Sequence, residues 1–312
     1  MIGRMEIKFD RNIMCGGLDA SVEIENGKAR VEFTICLLGE DASERKTTDW
    51  RVEIRMYDQE EQEVAGMRVP VEMGENLRTH TLIIYPHLWK AVEEPYLYKV
   101  RGSLVYRNEV RDALEKVLPI CSWENVPGKG WYLNGRPFEL KAVRYRMPEK
   151  MGGMDSEVLR KELEMIRDLG ANCVLTDGFE GDLAFREMCM EMGLVVCGGD
   201  ETEAVKMPLF CGDEGALLEL DRARKRDAFY YYKACWGKDK VLYICPPVRR
   251  DGADETVVKV YSNQKKVALY VDGRLQEFKE SAPVFLFEDV PVRWGETVIS
   301  AQAGECFCSV TV

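Results

Sequence analysis

The first third of the chain alternates apolar and polar residues. Segments 21–25, 29–35 and 50–57 place an apolar residue at nearly every second position, which is the period of a strand with one buried face. Asn26 and Gly27 separate the first two segments and form a preferred two-residue hairpin turn. Six or seven short strands over roughly a hundred residues are typical of an immunoglobulin-like sandwich. We therefore predict an immunoglobulin-like β-sandwich over residues 1–122.

Between residues 123 and 237, strand-like and helix-like segments alternate. Strands are predicted at 138–143, 173–175 and 194–197, and helices at 156–169, 182–192 and 221–236. The first helix is capped by Ser156, and its apolar residues Leu159, Leu163, Ile166 and Leu169 share one face. Successive strand-helix-strand units imply a parallel sheet. A complete eight-unit barrel needs about 250 residues, and fewer than half that number are present. We therefore predict a shortened (β/α) TIM-barrel remnant over residues 123–237.

Strand-like alternation returns in the last part of the chain. Residues 256–263 and 266–274 have the apolar spacing of strands, and Asp272 with Gly273 forms a second preferred hairpin turn. The remaining length, about seventy residues, suits a small sandwich. We predict a C-terminal β-sandwich over residues 238–312, so the whole chain is expected to be a multidomain protein of β and α/β type.

Four segments resemble one enzyme family. Their sequences are PHLWKAVEEPYLY at 86–98, WYLNGRPFELKAVR at 131–144, DRARKRDAFYYYKACW at 221–236 and TVVKVYSN at 256–263. In the same order, they resemble the pre-barrel sandwich, the first barrel strand, the closing barrel helix and the following sandwich of glycoside hydrolase family 2. That family includes beta-galactosidases, beta-glucuronidases and beta-mannosidases. The resemblance covers most of residues 80–300 and implies the fold of a retaining glycosidase.

The catalytic carboxylates that this resemblance implies are missing. Retaining glycosidases need two carboxyl groups roughly 5–5.5 Å apart. In the family both are glutamates on middle and late barrel strands, and the acid follows an asparagine. The single Asn-Glu pair in this chain, Asn108 with Glu109, lies in the predicted first sandwich. The sequence therefore predicts no catalytic residues.

Charged residues replace the family's sugar-contacting residues after each predicted parallel strand. They are Arg144, Arg146, Asp177, Asp200 and Glu201. The carboxyl ends of parallel strands are where such folds bind ligands, and two arginines can hold a carboxylate or phosphate in a forked geometry. The simpler interpretation is that these residues are solvated loop charges or pair with one another. Both interpretations stay open at this point.

Composition excludes several classes of function. The net charge of -11 provides no basic surface for nucleic acid, and no apolar run approaches the roughly 20 residues of a membrane-spanning helix. The first residues do not resemble a signal peptide, so we expect a cytoplasmic protein. The eleven cysteines and two histidines lack metal-ligand spacing, which predicts reduced, mostly buried thiols, no metal site and no cofactor.

An incomplete barrel also predicts something about partners. Parallel strands with open edges must be covered by the linker at 203–215, by the sandwiches or by another chain, so a homodimer or a glycosidase partner is a reasonable hypothesis. We expect an inactive relative of the family that acts in carbohydrate binding or assembly. One alternative is an active beta-glycosidase with an unusual carboxylate pair, such as Asp177 with Glu201, or a site completed by a partner. The other alternative is a purely structural remnant.

Overall fold

The computed structural model describes residues 5–7, 14–38, 49–71, 76–146, 156–176, 183–198, 207–212, 215–248, 254–293 and 295–312. The chain divides into two compact units. The first comprises residues 1–140 and 178–196, and the second comprises residues 141–177 and 197–312. The boundaries predicted at residues 122 and 237 stay predictions.

The first unit contains a β-sandwich of eight strands. These are β1 (Met5–Ile7), β2 (Met14–Glu25), β3 (Lys28–Leu38), β4 (Trp50–Tyr57), β5 (Glu63–Pro70), β6 (Asn76–Ile84), β7 (Leu97–Tyr106) and β8 (Glu109–Pro119). One antiparallel sheet has the order β1-β2-β3-β6 and the other has the order β5-β4-β7-β8. The predicted N-terminal β-sandwich is confirmed.

Alternation along these strands produces the core of the sandwich. Residues at every second position of β3 and β4 pack in one cluster, in which Phe33, Ile35, Ile54 and Met56 are each at most 1% exposed. The predicted hairpin turn between β2 and β3 is confirmed, because Asn26 and Gly27 both have positive φ angles (50° and 73°). A turn of this kind matches the twist of the flanking strands.

A small antiparallel sheet follows the sandwich. It consists of β9 (Trp123–Val126), β10 (Gly130–Leu133) and β11 (Arg136–Pro137), in the order β11-β10-β9. Asn134, in the turn after β10, donates a hydrogen bond of 2.9 Å from its side chain to the carbonyl oxygen of Trp89. This bond fixes the small sheet to the segment between β6 and β7.

Within the first unit, Trp89 links the segment between β6 and β7 to helix α2 (Leu183–Glu191). The Trp89 side chain is buried, and its indole N–H donates a hydrogen bond of 3.0 Å to the carbonyl oxygen of Met190. Just beyond the helix, Gly193 lies so close to Ala91 that an added Cβ would be 2.5 Å from the Ala91 carbonyl oxygen. Trp89 is therefore a core residue of the first unit.

Three parallel strands alternate with helices along the chain. They are β12 (Ala142–Tyr145), β13 (Cys173–Thr176) and β14 (Val195–Gly198), and they form a sheet in that order. Helix α1 (Ser156–Asp168) connects the first two strands and α2 lies between the second and the third. The parallel register places Ala142 opposite Cys173 and Tyr145 opposite Thr176. The predicted strand at 138–143 was wrong by several residues, because the backbone of Phe138 still belongs to the preceding hairpin, where its N–H donates to Trp131.

The last helix is shorter than predicted. Helix α3 runs over Asp227–Trp236, whereas the sequence predicted a helix from residue 221. The Asp221 carboxylate accepts hydrogen bonds of 3.0 Å from the backbone N–H groups of Ala223 and Arg224, and Arg222 has a φ of 58°. An aspartate that bonds the backbone two residues ahead favours a turn over a helix. The aromatic residues of α3 serve packing, since Phe229 is buried and Tyr230 stacks on Tyr243 at 3.7 Å.

Part of the predicted linker covers the free edge of β12. The N–H of Arg144 donates to the Pro208 carbonyl oxygen at 2.9 Å, and the Arg144 carbonyl oxygen accepts from the Phe210 N–H at 2.8 Å. Leu209 and Arg144 thereby form a parallel bridge. The linker, rather than a sandwich or another chain, therefore pairs with this edge of the parallel sheet.

Two further sheets form the C-terminal part. Their strands are β15 (Leu242–Ile244), β16 (Glu255–Ser262), β17 (Lys266–Val271), β18 (Arg274–Glu280), β19 (Val284–Pro291), β20 (Val298–Ala303) and β21 (Cys306–Thr311). The sheets have the orders β15-β16-β19 and β18-β17-β20-β21. Their inward residues, including Val260, Leu269, Phe285 and Ile299, share one buried core, as a sandwich requires. None of the helices described in either unit is long and apolar enough to cross a membrane.

Candidate functional site

The candidate site lies at the carboxyl end of the parallel sheet. Of the five residues predicted there, the structure places Arg144 within β12 and Arg146 directly after it, and both side chains are exposed. Asp177, Asp200 and Glu201 lie outside the described residues. The structure thus brings two of the five predicted residues to one sheet edge, and a ligand role for them stays a prediction.

A buried cluster that the sequence did not predict lies beneath this edge. The Glu162 carboxylate on α1 accepts a hydrogen bond of 2.5 Å from the Tyr145 hydroxyl at the end of β12. Arg222 donates to both oxygens of the same carboxylate, from Nε at 2.5 Å and from Nη2 at 2.7 Å. Its Nη1 also donates to the Arg146 carbonyl oxygen at 3.4 Å. Arg222 therefore fixes the turn at 221–226 to the end of β12.

Electrostatics in this cluster follow from burial and pairing. The side chains of Glu162 and Arg222 are 3% and 21% exposed. Burial, reinforced by the bond to Glu162, raises the pKa of the Tyr145 phenol well above its usual value. Burial alone would lower the pKa of the Arg222 guanidinium, but the bonds to Glu162 outweigh it and raise that pKa. The tyrosine therefore stays neutral and the arginine charged.

Aromatic rings complete the surroundings of Arg222. Its guanidinium carbon lies 5.3 Å from the centre of the Tyr145 ring and 5.7 Å from that of Phe210. Cation–π contacts of this kind stabilise a partly desolvated arginine. The guanidinium thus has a carboxylate, a carbonyl oxygen and two rings as partners, which is the environment of a structural ion pair.

Sequence reasoning had one usable signal for this cluster. Glu162 interrupts the apolar stripe of α1, three residues after Leu159 and next to Leu163. A charged residue in a buried stripe requires a partner. The partner, Arg222, is 60 residues away, and nothing in the local sequence marks it.

The described cysteines are free thiols. Cys173 and Cys197 lie on β13 and β14 with their sulfur atoms 3.5 Å apart, and both are buried. Burial raises the pKa of Cys121 to about 11 and also raises that of Cys189. Thiols with raised pKa values react slowly because the thiolate is the nucleophile. These residues therefore pack as small apolar side chains.

Comparisons with known proteins bear on the family. No family model matches the chain. The chain is 31% identical over 107 residues to a beta-galactosidase of Thermoanaerobacter pseudethanolicus, and 27% identical over 95 residues to a beta-glucuronidase of Bacteroides fragilis. These alignments cover 33% and 30% of this chain but only 14% of each enzyme.

Solved structures extend the likeness to nearly the whole chain. An FMN-binding beta-glucuronidase from Facaelibacterium prausnitzii L2-6 superposes with a TM-score of 0.78 at 17% identity, covering 96% of this chain and 73% of that one. A glycosyl hydrolase family 2 member from Bacteroides cellulosilyticus superposes with a TM-score of 0.73 at 14% identity, covering 95% and 63%. Such identities show the fold alone. In sequence over about a third of its length and in fold over nearly all of it, the chain is a glycoside hydrolase family 2-like protein.

Proposed function

We propose that this glycoside hydrolase family 2-like chain no longer hydrolyses glycosidic bonds and acts in carbohydrate binding or as an assembly partner. In this proposal the chain is an immunoglobulin-like sandwich, a shortened TIM-barrel segment and a C-terminal sandwich. The observation that supports it best is the burial of Glu162 and its bonding to Tyr145 and Arg222. Glu162 is the single buried carboxylate among the described residues.

Glu162 is unsuited to glycosidase chemistry. A retaining site needs one protonated carboxyl group and one ionised carboxylate facing the same bond. Both oxygens of Glu162 are occupied by donors from Tyr145 and Arg222, and the residue lies on α1 rather than at a strand end. Because its side chain is only 3% exposed, a carboxylate held in this way cannot face a substrate bond.

The spacing of the elements supports the same conclusion. Strand β14 ends at Gly198 and helix α3 begins at Asp227. Residues 199–226 are too few for the remaining strand-helix units of a barrel of about 250 residues. The family's catalytic glutamates belong to those units.

A partner is part of the proposal. Strand β14 is an outer strand of the parallel sheet, and no other described strand pairs with its second edge. A parallel strand with an unpaired edge is a template for association. We therefore propose that a second copy of the chain or an active glycosidase covers it. The free thiols of the described cysteines favour a reducing compartment, in keeping with a cytoplasmic location.

Turnover of a panel of fluorogenic beta-glycosides tests the proposal. The panel comprises a galactoside, a glucuronide, a mannoside and a glucoside, with an active family 2 enzyme as positive control and circular dichroism to verify folding. We expect no turnover above buffer. Turnover that disappears in Asp177→Ala or Glu201→Ala would contradict the proposal and would assign catalysis to those residues.

A further inference from the structure

The outer surface of the sheet β18-β17-β20-β21 differs from the rest of the protein. The outward positions of β17, β20 and β21, apart from Lys266 at one corner, all hold uncharged residues: Ala268, Tyr270, Val298, Ser300, which is buried, Gln302, Phe307, Ser309 and Thr311. The chain as a whole has 31% charged residues. On the first sandwich, the outward positions of β3 and β6 include Arg30, Glu32 and Arg78. An exposed sheet surface almost free of charge requires an explanation.

Two phenylalanines lie at opposite sides of this surface. The strand register aligns Phe278, Ala268, Gln302 and Phe307 in one row across the four strands. Phe278 is 55% exposed and Phe307 is 66% exposed. Adjacent strands are about 4.8 Å apart, so the two rings are separated by roughly 14 Å. We call this row, together with Tyr270, the aromatic face.

Polar groups between the two rings are held in fixed positions. The Tyr270 hydroxyl lies 3.2 Å from Oε1 of Gln302, and Nε2 of Gln302 donates to the Gly304 carbonyl oxygen at 3.3 Å. An amide has two N–H donors and two acceptor sites, so Gln302 keeps one of each for a ligand. Its orientation is set before any ligand arrives, which reduces the entropy lost on binding.

We infer that the aromatic face binds a neutral oligosaccharide chain. This inference rests on the proposed function and assigns its carbohydrate-binding surface. Apolar C–H faces of sugar rings pack against Phe278 and Phe307, while sugar hydroxyls bond to the Gln302 amide and to the Tyr270 and Ser309 hydroxyls. At the corner, Lys266 lies 3.6 Å from Glu280 and above the Phe278 ring, so the two charges neutralise each other. The surface therefore presents no net charge to select an ionic ligand.

The size of the aromatic face favours a glycan over a second protein chain. Aromatic side chains have about 150–250 Å² of surface, so the exposed parts of the two phenylalanines provide roughly 240 Å². Leu275 and Val298, which are 55% and 39% exposed, enlarge the apolar area to about half of the roughly 800 Å² that each partner buries in a stable complex. A short sugar chain needs no more than this area.

Affinity electrophoresis tests the inference with the full chain. The protein is run through native gels that contain soluble neutral polysaccharides: a xylan, a galactan, a mixed-linkage glucan and a galactomannan. We expect retardation in at least one gel, and at least a tenfold weaker affinity for Phe307→Ala and Phe278→Ala, equivalent to about 1.4 kcal/mol. Leu286→Ala is the matched control, because Leu286 is 44% exposed on β19 in the other sheet of the same sandwich.

Each outcome decides the inference. Retardation that is lost in both phenylalanine variants and kept in the Leu286 variant supports it. Absence of retardation in every gel, or equal retardation of all variants, overturns it and leaves the lack of glycosidase turnover untouched. A dimer in light scattering that Phe307→Ala dissociates would assign the aromatic face to a second copy and would also overturn it. Glycoside turnover alongside intact polysaccharide binding would overturn the proposed function alone.

Discussion

Replacing Arg222 by methionine should leave a buried carboxylate without its counter-ion. Methionine keeps a similar apolar stem but removes the two N–H donors that lie 2.5 and 2.7 Å from the oxygens of Glu162. Glu162 is 3% exposed, so water cannot replace those donors. Breaking a buried ion pair by removing one partner costs about 3–5 kcal/mol of unfolding free energy. Because Arg222 is itself 21% exposed, we expect a loss near the lower value, about 3 kcal/mol.

The pH dependence identifies the cause of this loss. A buried carboxylate without a counter-ion takes up a proton more readily than the same group in the unfolded chain. The folded variant then binds more protons than the unfolded variant, so its stability falls as the pH rises. The deficit of Arg222→Met relative to the wild type should therefore be largest at pH 7.5 and should shrink towards pH 5.

Urea unfolding followed by circular dichroism at both pH values measures the effect. Arg224→Met is the control, because Arg224 lies in the same turn, is 77% exposed and forms only exposed ion pairs. Such pairs contribute about 0–1 kcal/mol. A loss in Arg222→Met no larger than in Arg224→Met, or one that does not depend on pH, would refute the assignment of a buried ion pair.

Two further changes test the packing of each unit. Gly193→Ala should lower the unfolding free energy by more than about 1 kcal/mol, because φ is 75° and the new Cβ would meet the Ala91 carbonyl oxygen. Gly128 has the same φ, but no atom lies within 4 Å of a Cβ added there, so Gly128→Ala should lose less unfolding free energy in urea than Gly193→Ala. Equal losses in the two variants would contradict the close contact between Gly193 and Ala91. In the second unit, burial raises the pKa of Asp168, but the bonds and charges of Lys233 and Lys225 together outweigh it and lower that pKa. The ionised Asp168 therefore stabilises the folded state above about pH 3.9, the pKa of an aspartate in the unfolded chain, and this stabilisation is lost as the pH falls through the lowered folded-state pKa. Asp168→Asn should lower the unfolding free energy by about 0.5 kcal/mol at pH 7 and by almost nothing near pH 2. A deficit that is constant with pH would argue against the pair.

Local patterns predicted the elements of the fold better than its contacts. The hairpin at Asn26 follows from the Asn-Gly pair, and the helix that starts at Ser156 follows from its capping serine and its apolar face. The structure has both elements. The start of α3 was predicted too early because residues 221–236 as a whole resemble the family's closing barrel helix, whereas the Asp221 side chain stabilises a turn. Competition between a side-chain bond and a helical bond is decided by geometry that the sequence does not contain.

The sites depend on contacts between distant residues, which explains what the sequence missed. Glu162 could be recognised as a charge within an apolar stripe, but its partner comes from a turn 60 residues later. Similarly, Phe307 lies between two cysteines on β21, and only the strand register shows that it shares a row with Phe278. Arg144 and Arg146 were predicted to follow a strand that ended at residue 143, whereas β12 runs over Ala142–Tyr145, so Arg144 lies within the strand and only Arg146 follows it.

The grouping of α2 with the first sandwich has a consequence for synthesis of the chain. The indole of Trp89 bonds to a carbonyl oxygen 101 residues later, and the first unit takes its final segment from residues 178–196. On the ribosome, domains fold as units as they emerge. The first unit is therefore completed, with the Met190 partner of Trp89 in place, only after residues 141–177 of the second unit have been made. A nascent chain halted before residue 183 would lack α2, so a chaperone or a protease would meet its first unit in an unfinished state.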